Sequence, residues 1–365
     1  MNNIDSTINN LKASPLFYLF LSSRELFHSN FWFWLSTLNR NETAKLFSEK
    51  NLPITFDFKR EHNQQNGKPK TEKIKSKIDL YVFEEKEIVN KNKSKKEHTP
   101  LIVIENKVKD FPKHEQLNRI KFSFGEVNNN IEFVLATLFW KEQIKENIAN
   151  GWIIKTYRNI AEAIDPNKFT DNIYYQSLIA DYKTFTLNLA LLAEGIEIKE
   201  EYDFYYPNSK YLFDKLNEIN LWEGYQKMRA SHLIIEFEKQ IKPRNVHVNY
   251  GINNQKATMD FRPLINLKSG YGVGIQIEGD QYRRFVEGQK AAEFAENLLK
   301  NRVFLDPNKE FSKGVNYLNY GNSFKYQYDK VTNVESFADL FKKIKNDIDF
   351  IENNKHIIED QIPSS

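Results

Sequence analysis

The stretch LIVIENKVK, residues 101–109, constrains the fold more than any other part of the chain. Four consecutive apolar side chains, rich in β-branching, predict a buried strand. A carboxylate, an amide and an ammonium follow where the apolar run stops. Side chains alternate along a strand, so Glu105 and Lys107 share one face and Asn106 takes the other. Burying Glu and Lys at the end of an apolar strand is costly unless they meet each other, a metal or a ligand. Upstream, KIDLYVF (residues 77–83) predicts a second strand with Asp79 inside it. If the two strands pair, Asp79 stands beside Glu105, and two carboxylates and one amine converge.

Two carboxylates offer hard oxygen ligands, which suit Mg²⁺ or Mn²⁺ better than Zn²⁺. A metal held this way activates water and neutralises charge on a phosphate. Lys107 is suited to orient that water or to stabilise developing negative charge. Glu-x-Lys alone is more often an ordinary surface ion pair. Asp79 on a preceding strand is what makes the combination informative.

The order Asp79, then Ile104, Glu105, Asn106 and Lys107, resembles the D…(D/E)-x-K signature of the PD-(D/E)XK nuclease superfamily. The following EQLNRI (residues 115–120) resembles the Gln-bearing helix of one branch, with Ile120 where that branch has an aromatic. ELFHSNF (residues 25–31) resembles the same branch's opening helix. The resemblance covers about residues 15–195. It implies a restriction-endonuclease-like αβββαβ core, a mixed sheet flanked by helices, and hydrolysis of DNA in restriction, defence against foreign DNA, or repair. It further implies that Asp79, Glu105, Lys107 and Gln116 form the catalytic set. Asp79, Glu105, the backbone carbonyl of Asn106, and Glu25 would be the metal ligands. Glu25 and His28 are three residues apart on one helix face; His28 reads as a hydrogen-bonding partner rather than a ligand.

Charge supports a polyanionic partner by its placement more than by its sum. The chain's net charge is only +3. Yet between Lys59 and Lys96 twelve Lys and Arg stand against six Asp and Glu, bracketing the strand that carries Asp79. A basic collar around a carboxylate site is the pattern a phosphate backbone requires. Lys73, Lys75 and Lys77 alternate along the approach to that strand and are the expected phosphate contacts, joined by Arg119 on the Gln-bearing helix. Residues 90–97 read as a polar hairpin loop.

The rest of the chain follows the same periodicity rules. Residues 15–48 read as helical, and their dense aromatics as core packing rather than base stacking. Strands are expected at 52–58, 74–83, 101–106, 131–136 and 152–157. A turn is expected over 61–73, and helices at 113–127, 141–149 and 171–194. Residues 195–208 read as a boundary, dividing a nuclease-like domain (1–195) from a second α+β domain (196–365). In that second half a long helix over about 209–241 is expected to break near Asn220. Strands near 245–250, 256–265, 271–279 and 322–331 follow, with helices at 288–301 and 335–353 and a frayed tail from Asn354. Asp260 and Glu278 faintly echo Asp79 and Glu105, but Asp280 stands where a lysine would be needed, so no second active site is expected. Tyr282, Arg283, Arg284 and Phe285 read either as a nucleic-acid surface or as an amphipathic strand or turn with exposed arginines.

The chain has no cysteine, which excludes disulfides and thiolate metal sites and fits a reducing compartment. No run approaches the length needed to span a bilayer, and the first residues lack a signal-peptide pattern. A soluble, cytoplasmic protein is therefore expected, with DNA as partner and Mg²⁺ (or Mn²⁺) as cofactor. Cleavage of two strands commonly uses a two-fold dimer, which leaves a homodimer open. Two other readings stay open as well. One is a non-catalytic nucleic-acid-binding or interaction module on a nuclease-like scaffold. The other is a metal-dependent phosphoesterase acting on nucleotides.

Overall fold

The structure, a computed structural model, describes residues 2–23, 25–65, 75–90, 93–108, 114–124, 130–138, 151–196, 210–241, 246–253, 256–265, 267, 270–309, 323–331 and 336–363. The chain is of mixed α/β class. It divides into two compact units, residues 1–196 with 215–225, and residues 197–214 with 226–365. The first run ends at Ile196, where the sequence reading put a division at 195/196. Residues 215–225, expected in the second domain, belong to the first unit.

The first unit opens with four helices, α1 (Asn2–Ala13), α2 (Leu16–Ser23), α3 (Glu25–Leu38) and α4 (Arg40–Lys45). Strands β1 (Phe56–Gln65), β2 (Lys75–Asn90) and β3 (Lys93–Lys107) follow, then α5 (His114–Ser123), β4 (Glu132–Thr137), β5 (Ile153–Thr156), α6 (Tyr157–Ala163) and α7 (Ile173–Gly195). Among the described residues the strands lie in the order β1-β2-β3-β4-β5. The consecutive strands β1, β2 and β3 pair antiparallel. From β3 to β4, with α5 between them, and on to β5, the pairing is parallel, as a crossover connection requires.

The sheet is covered on both faces. On one, Leu117 and Ile120 of α5 join Tyr81, Phe83, Val103, Phe133, Leu135 and Trp152 in one cluster. On the other lies α3, against β1, β2 and β3. There Phe20, Trp32, Tyr182 and Phe185 are fully buried, and Phe31 stacks on Tyr182 with ring centroids 3.7 Å apart. The N-terminal aromatics are therefore mostly core. Tyr18 and Leu19 remain exposed.

Several boundaries differ from expectation. In the lysine-rich stretch expected to be a loop at 90–97, Asn90 ends β2 and residues 93–97 belong to β3. β3 begins at Lys93, and its register sets Lys86 opposite Glu97 and Glu87 opposite Lys96. Antiparallel backbone pairing with β2 carries the strand through residues whose own strand propensity is low. The strand expected at 52–58 starts at Phe56 and runs to Gln65, into the stretch read as a turn. Helix α1 was not expected, because its sequence is polar. Helix α6 was not expected either, because it follows β5 without a loop. A reciprocal cap of Thr156 and Asn159 starts it there. The helix expected at 141–149 lies outside the described residues.

The next helices are α8 (Lys210–Glu218) and α9 (Trp222–Ile241). The expected break sits between them, where Asn220 takes a left-handed φ of 55°. The Leu221 N–H returns to the Leu216 carbonyl at 2.9 Å, a closure typical of helix ends. Beyond α9 come β6 (Val246–Asn253), β7 (Lys256–Pro263), β8 (Gly272–Glu278), β9 (Gln281–Glu287), α10 (Ala291–Lys300), β10 (Phe324–Lys330), α11 (Phe337–Asn353) and α12 (Lys355–Glu359). The strands form an antiparallel sheet in the order β10-β9-β8-β7-β6. Leu233 and Phe237 of α9, Phe294 and Leu298 of α10, and Leu340, Ile344 and Ile348 of α11 cover one face of it in a single core.

The tail after Asn354 is helical rather than frayed, and Ile358 and Ile362 are buried in that core. The stretch at 282–285 is strand β9, and its arginines are engaged rather than exposed. Arg283 meets both carboxylate oxygens of Glu278, at 2.8 and 2.9 Å. Arg284 holds both oxygens of Asp347, at 2.8 and 2.9 Å. Among the described residues no helix is long and apolar enough to cross a membrane.

Candidate active site

The pairing of β2 with β3 ends at Leu80 opposite Ile104. One residue beyond that pair stand Asp79 and Glu105, as their strand positions predicted. The Asn106 backbone N–H, past the end of the ladder, donates to Asp79 Oδ2 at 2.9 Å. The two strands thus present their carboxylates at the point where the sheet opens.

Glu105, Asn106 and Lys107 are 3%, 0% and 8% exposed. Such burial of consecutive charged and polar residues requires partners. Lys107 Nζ lies 2.7 Å from Glu105 Oε1. Gln116, in the first turn of α5, donates its Nε2–H to the same Oε1 at 2.7 Å. Among the described residues the other carboxylate oxygen, Glu105 Oε2, is buried without a hydrogen-bond partner.

Burial pushes the Glu105 carboxyl up to about 7; Lys107 pulls it back, and the negative charges of Asp79 and Glu25 push it further up. Burial pulls the Lys107 ammonium down, but Glu105 foremost, then Glu25 and Asp79, hold it above its ordinary value. Burial thus opposes the charge on both groups, and the opposite charge of each partner offsets that cost.

Asn106 faces the opposite way, as alternation along the strand demands. Its Nδ2 donates to the Glu25 carbonyl at 2.7 Å and lies 3.2 Å from Ser29 Oγ. Its Oδ1 accepts from the Tyr157 hydroxyl at 2.6 Å. The Glu25 carboxylate accepts the Val108 N–H at 3.2 Å. The start of α3 is thereby held to the end of β3. His28 is fully buried on the same helix and its Nδ1 lies 2.8 Å from the Tyr182 hydroxyl. Burial lowers its pKa to about 3, so it stays neutral. It is a hydrogen-bonding partner, as its position suggested.

The expected site residues therefore stand as follows. Asp79, Glu105, Lys107 and Gln116 are brought together, and Glu25 reaches the same strand end. Arg119 is exposed on α5. Lys75 and Lys77 lie on β2, the strand of Asp79, while Lys73 lies outside the described residues. Ser29 and Tyr157 were not anticipated. Ser29 carries a faint signal, four residues after Glu25 on the same helix face. Tyr157 has none, since it meets Asn106 across 51 residues of sequence.

Among the described residues no group of three or more His, Cys, Asp or Glu is arranged to hold a metal. The donor set that does converge is of hard oxygens, two strand carboxylates with Glu25 nearby. The orphaned Glu105 Oε2 gives that set a buried acceptor in need of a cation or donor. These residues fit Mg²⁺ or Mn²⁺ by ligand type.

In the second unit the echo residues are otherwise engaged. Asp260 accepts from Gln276 at 2.8 Å, and Glu278 is paired with Arg283. No protein family, curated protein or solved structure matches this chain.

Proposed function

We propose that the first unit is a metal-dependent nuclease that hydrolyses DNA phosphodiester bonds. The observation that carries this reading is the buried Glu105–Lys107 pair set beside Asp79 at the end of two paired strands. Asp79 and Glu25 set further negative charge around this buried pair, an arrangement that costs a purely structural ion pair stability. A buried glutamate whose pKa is pushed up and which faces a lysine is a pattern found at reacting sites.

Asp79 and Glu105 would hold Mg²⁺ or Mn²⁺, with the Asn106 backbone carbonyl and Glu25 as further oxygens. The ion would supply a water of lowered pKa and a Lewis acid for the phosphate. Lys107, kept protonated by its carboxylate neighbours, orients that water or stabilises negative charge building on the phosphate. Gln116 fixes the Glu105 carboxylate from α5, so the reacting groups are oriented before substrate arrives. Lys73, Lys75, Lys77 and Arg119 would contact the DNA backbone, without reading sequence. A role in restriction, defence or repair follows from the family resemblance.

Mn²⁺ binding tests this directly. An ion that binds only the folded protein raises its stability, by about 2.7 kcal/mol at a hundredfold excess over Kd. Mn²⁺ should therefore raise the melting temperature of the wild type and not that of Asp79→Asn. An equal rise in both proteins, or none in the wild type, contradicts the assignment.

A further inference from the structure

Resting on the nuclease reading, we infer that Asn106 is a positioning residue, and that its side chain sets Glu25 against the Glu105–Lys107 pair. Asn106 stands between those two residues in sequence, yet its amide points away from them. All of its polar capacity is directed at the helical layer. The Nδ2 donates to the Glu25 carbonyl at 2.7 Å and approaches Ser29 Oγ at 3.2 Å, while Oδ1 takes the Tyr157 O–H at 2.6 Å. Ser29 Oγ in turn donates to the Glu25 carbonyl at 3.1 Å. One side chain, wholly buried, thus bonds to α3 and α6 at once.

The chemistry calls for an amide. The Glu25 carbonyl can only accept, and the Tyr157 hydroxyl is aligned to donate. Asparagine offers both a donor and an acceptor in one plane. Aspartate of the same shape would turn a carboxylate oxygen toward the Glu25 carbonyl. It would also bury another negative charge beside Glu25, Asp79 and Glu105.

The consequence is a two-point clamp. Asn106 holds the backbone of Glu25, and the Val108 N–H holds its carboxylate at 3.2 Å. Between them the strand turns Glu105 and Lys107 to its other face. The same three-residue span therefore fixes the acid from the helix relative to the pair on the strand. If Asn106 lets go, the first turn of α3 loses the bond that fixes the Glu25 backbone relative to the strand. Groups that orient metal ligands cost about 10- to 100-fold in metal affinity or activity when removed.

The test measures Mn²⁺ binding and Mg²⁺-dependent cleavage of a linear DNA duplex. The proteins compared are the wild type, Asn106→Ala, Tyr157→Phe, Glu25→Gln and the double variant Glu25→Gln/Asn106→Ala. Asn106→Ala should raise the metal concentration for half-maximal cleavage at least about tenfold, and Tyr157→Phe should shift it in the same direction. Asn106→Ala should add nothing further in the Glu25→Gln background, which a merely structural defect would not reproduce. If Asn106→Ala does not fold, Tyr157→Phe carries the test, since it keeps the ring that packs on His28 at 4.6 Å. Folded variants with wild-type metal dependence, or losses that simply add to that of Glu25→Gln, overturn the inference. A wild-type protein that neither takes up Mn²⁺ nor cuts DNA overturns the nuclease reading itself, and the inference with it.

Discussion

His28 and Glu105 bind protons in opposite senses, and both lie in the first unit. Burial lowers the His28 pKa to about 3, against 6.5 for a free imidazole. The unfolded chain therefore binds that proton first, and stability is lost as pH falls below about 6.5. Burial raises Glu105 to about 7, against 4.5. Here the folded chain holds the proton more tightly, so stability is highest at low pH and falls as pH rises from 4.5 to 7. Each group can contribute a slope of at most about 1.4 kcal/mol per pH unit. The two slopes oppose one another between pH 4.5 and 6.5. Metal-free denaturant melts of His28→Gln should gain stability on acidification through that window, and Glu105→Gln should lose it. Parallel profiles for both variants would contradict the assignment of these shifts. Lys107 is the main charge restraining Glu105, so Lys107→Met should move the Glu105 titration above 7 in a pH series followed by carboxylate infrared absorption.

At the scale of elements, local chemistry decides where segments end. Asn220 separates α8 from α9 with a left-handed backbone, a conformation that costs residues with a branched Cβ about 1–2 kcal/mol. Asn220→Gly should leave stability nearly unchanged, and Asn220→Val should lower it by about that amount in urea unfolding. This break was legible because asparagine is one of few residues that adopt that backbone cheaply. Strands β2 and β3 were legible around Asp79 and Glu105 because buried strands need apolar runs. Their outer halves were not, since they are rich in Lys and Glu and persist through pairing across the hairpin, which only the register reveals. β9 was obscured by Arg283 and Arg284, whose partners Glu278 and Asp347 lie on β8 and α11. The same holds for the site. Asp79, Glu105, Lys107 and Gln116 follow from strand alternation and spacing. The Tyr157–Asn106–Ser29 contacts depend on a helix layer that the sequence does not order in space.

At the scale of the whole molecule, each unit has its own sheet and its own core. The core of the second unit includes Ile358 and Ile362 from the last turns of the chain. Truncation after Asn354 should therefore destabilise that unit severely. Ile358→Ala alone should cost about 2–5 kcal/mol, measured by denaturant unfolding of the full chain. An unchanged midpoint would mean that the tail contributes no packing. The first unit assembles carboxylates, a lysine and a glutamine where its sheet opens, and its worth is decided on nucleic acid. The most direct measurement incubates the purified protein with supercoiled plasmid and a linear duplex, in Mg²⁺ or in EDTA, beside Lys107→Ala. Mg²⁺-dependent cleavage by the wild type is predicted, reduced by roughly 10²–10³-fold in the variant, as expected when a group stabilising transition-state charge is removed. Cleavage that survives EDTA, or a Lys107→Ala protein as active as the wild type, would contradict the assignment of this site.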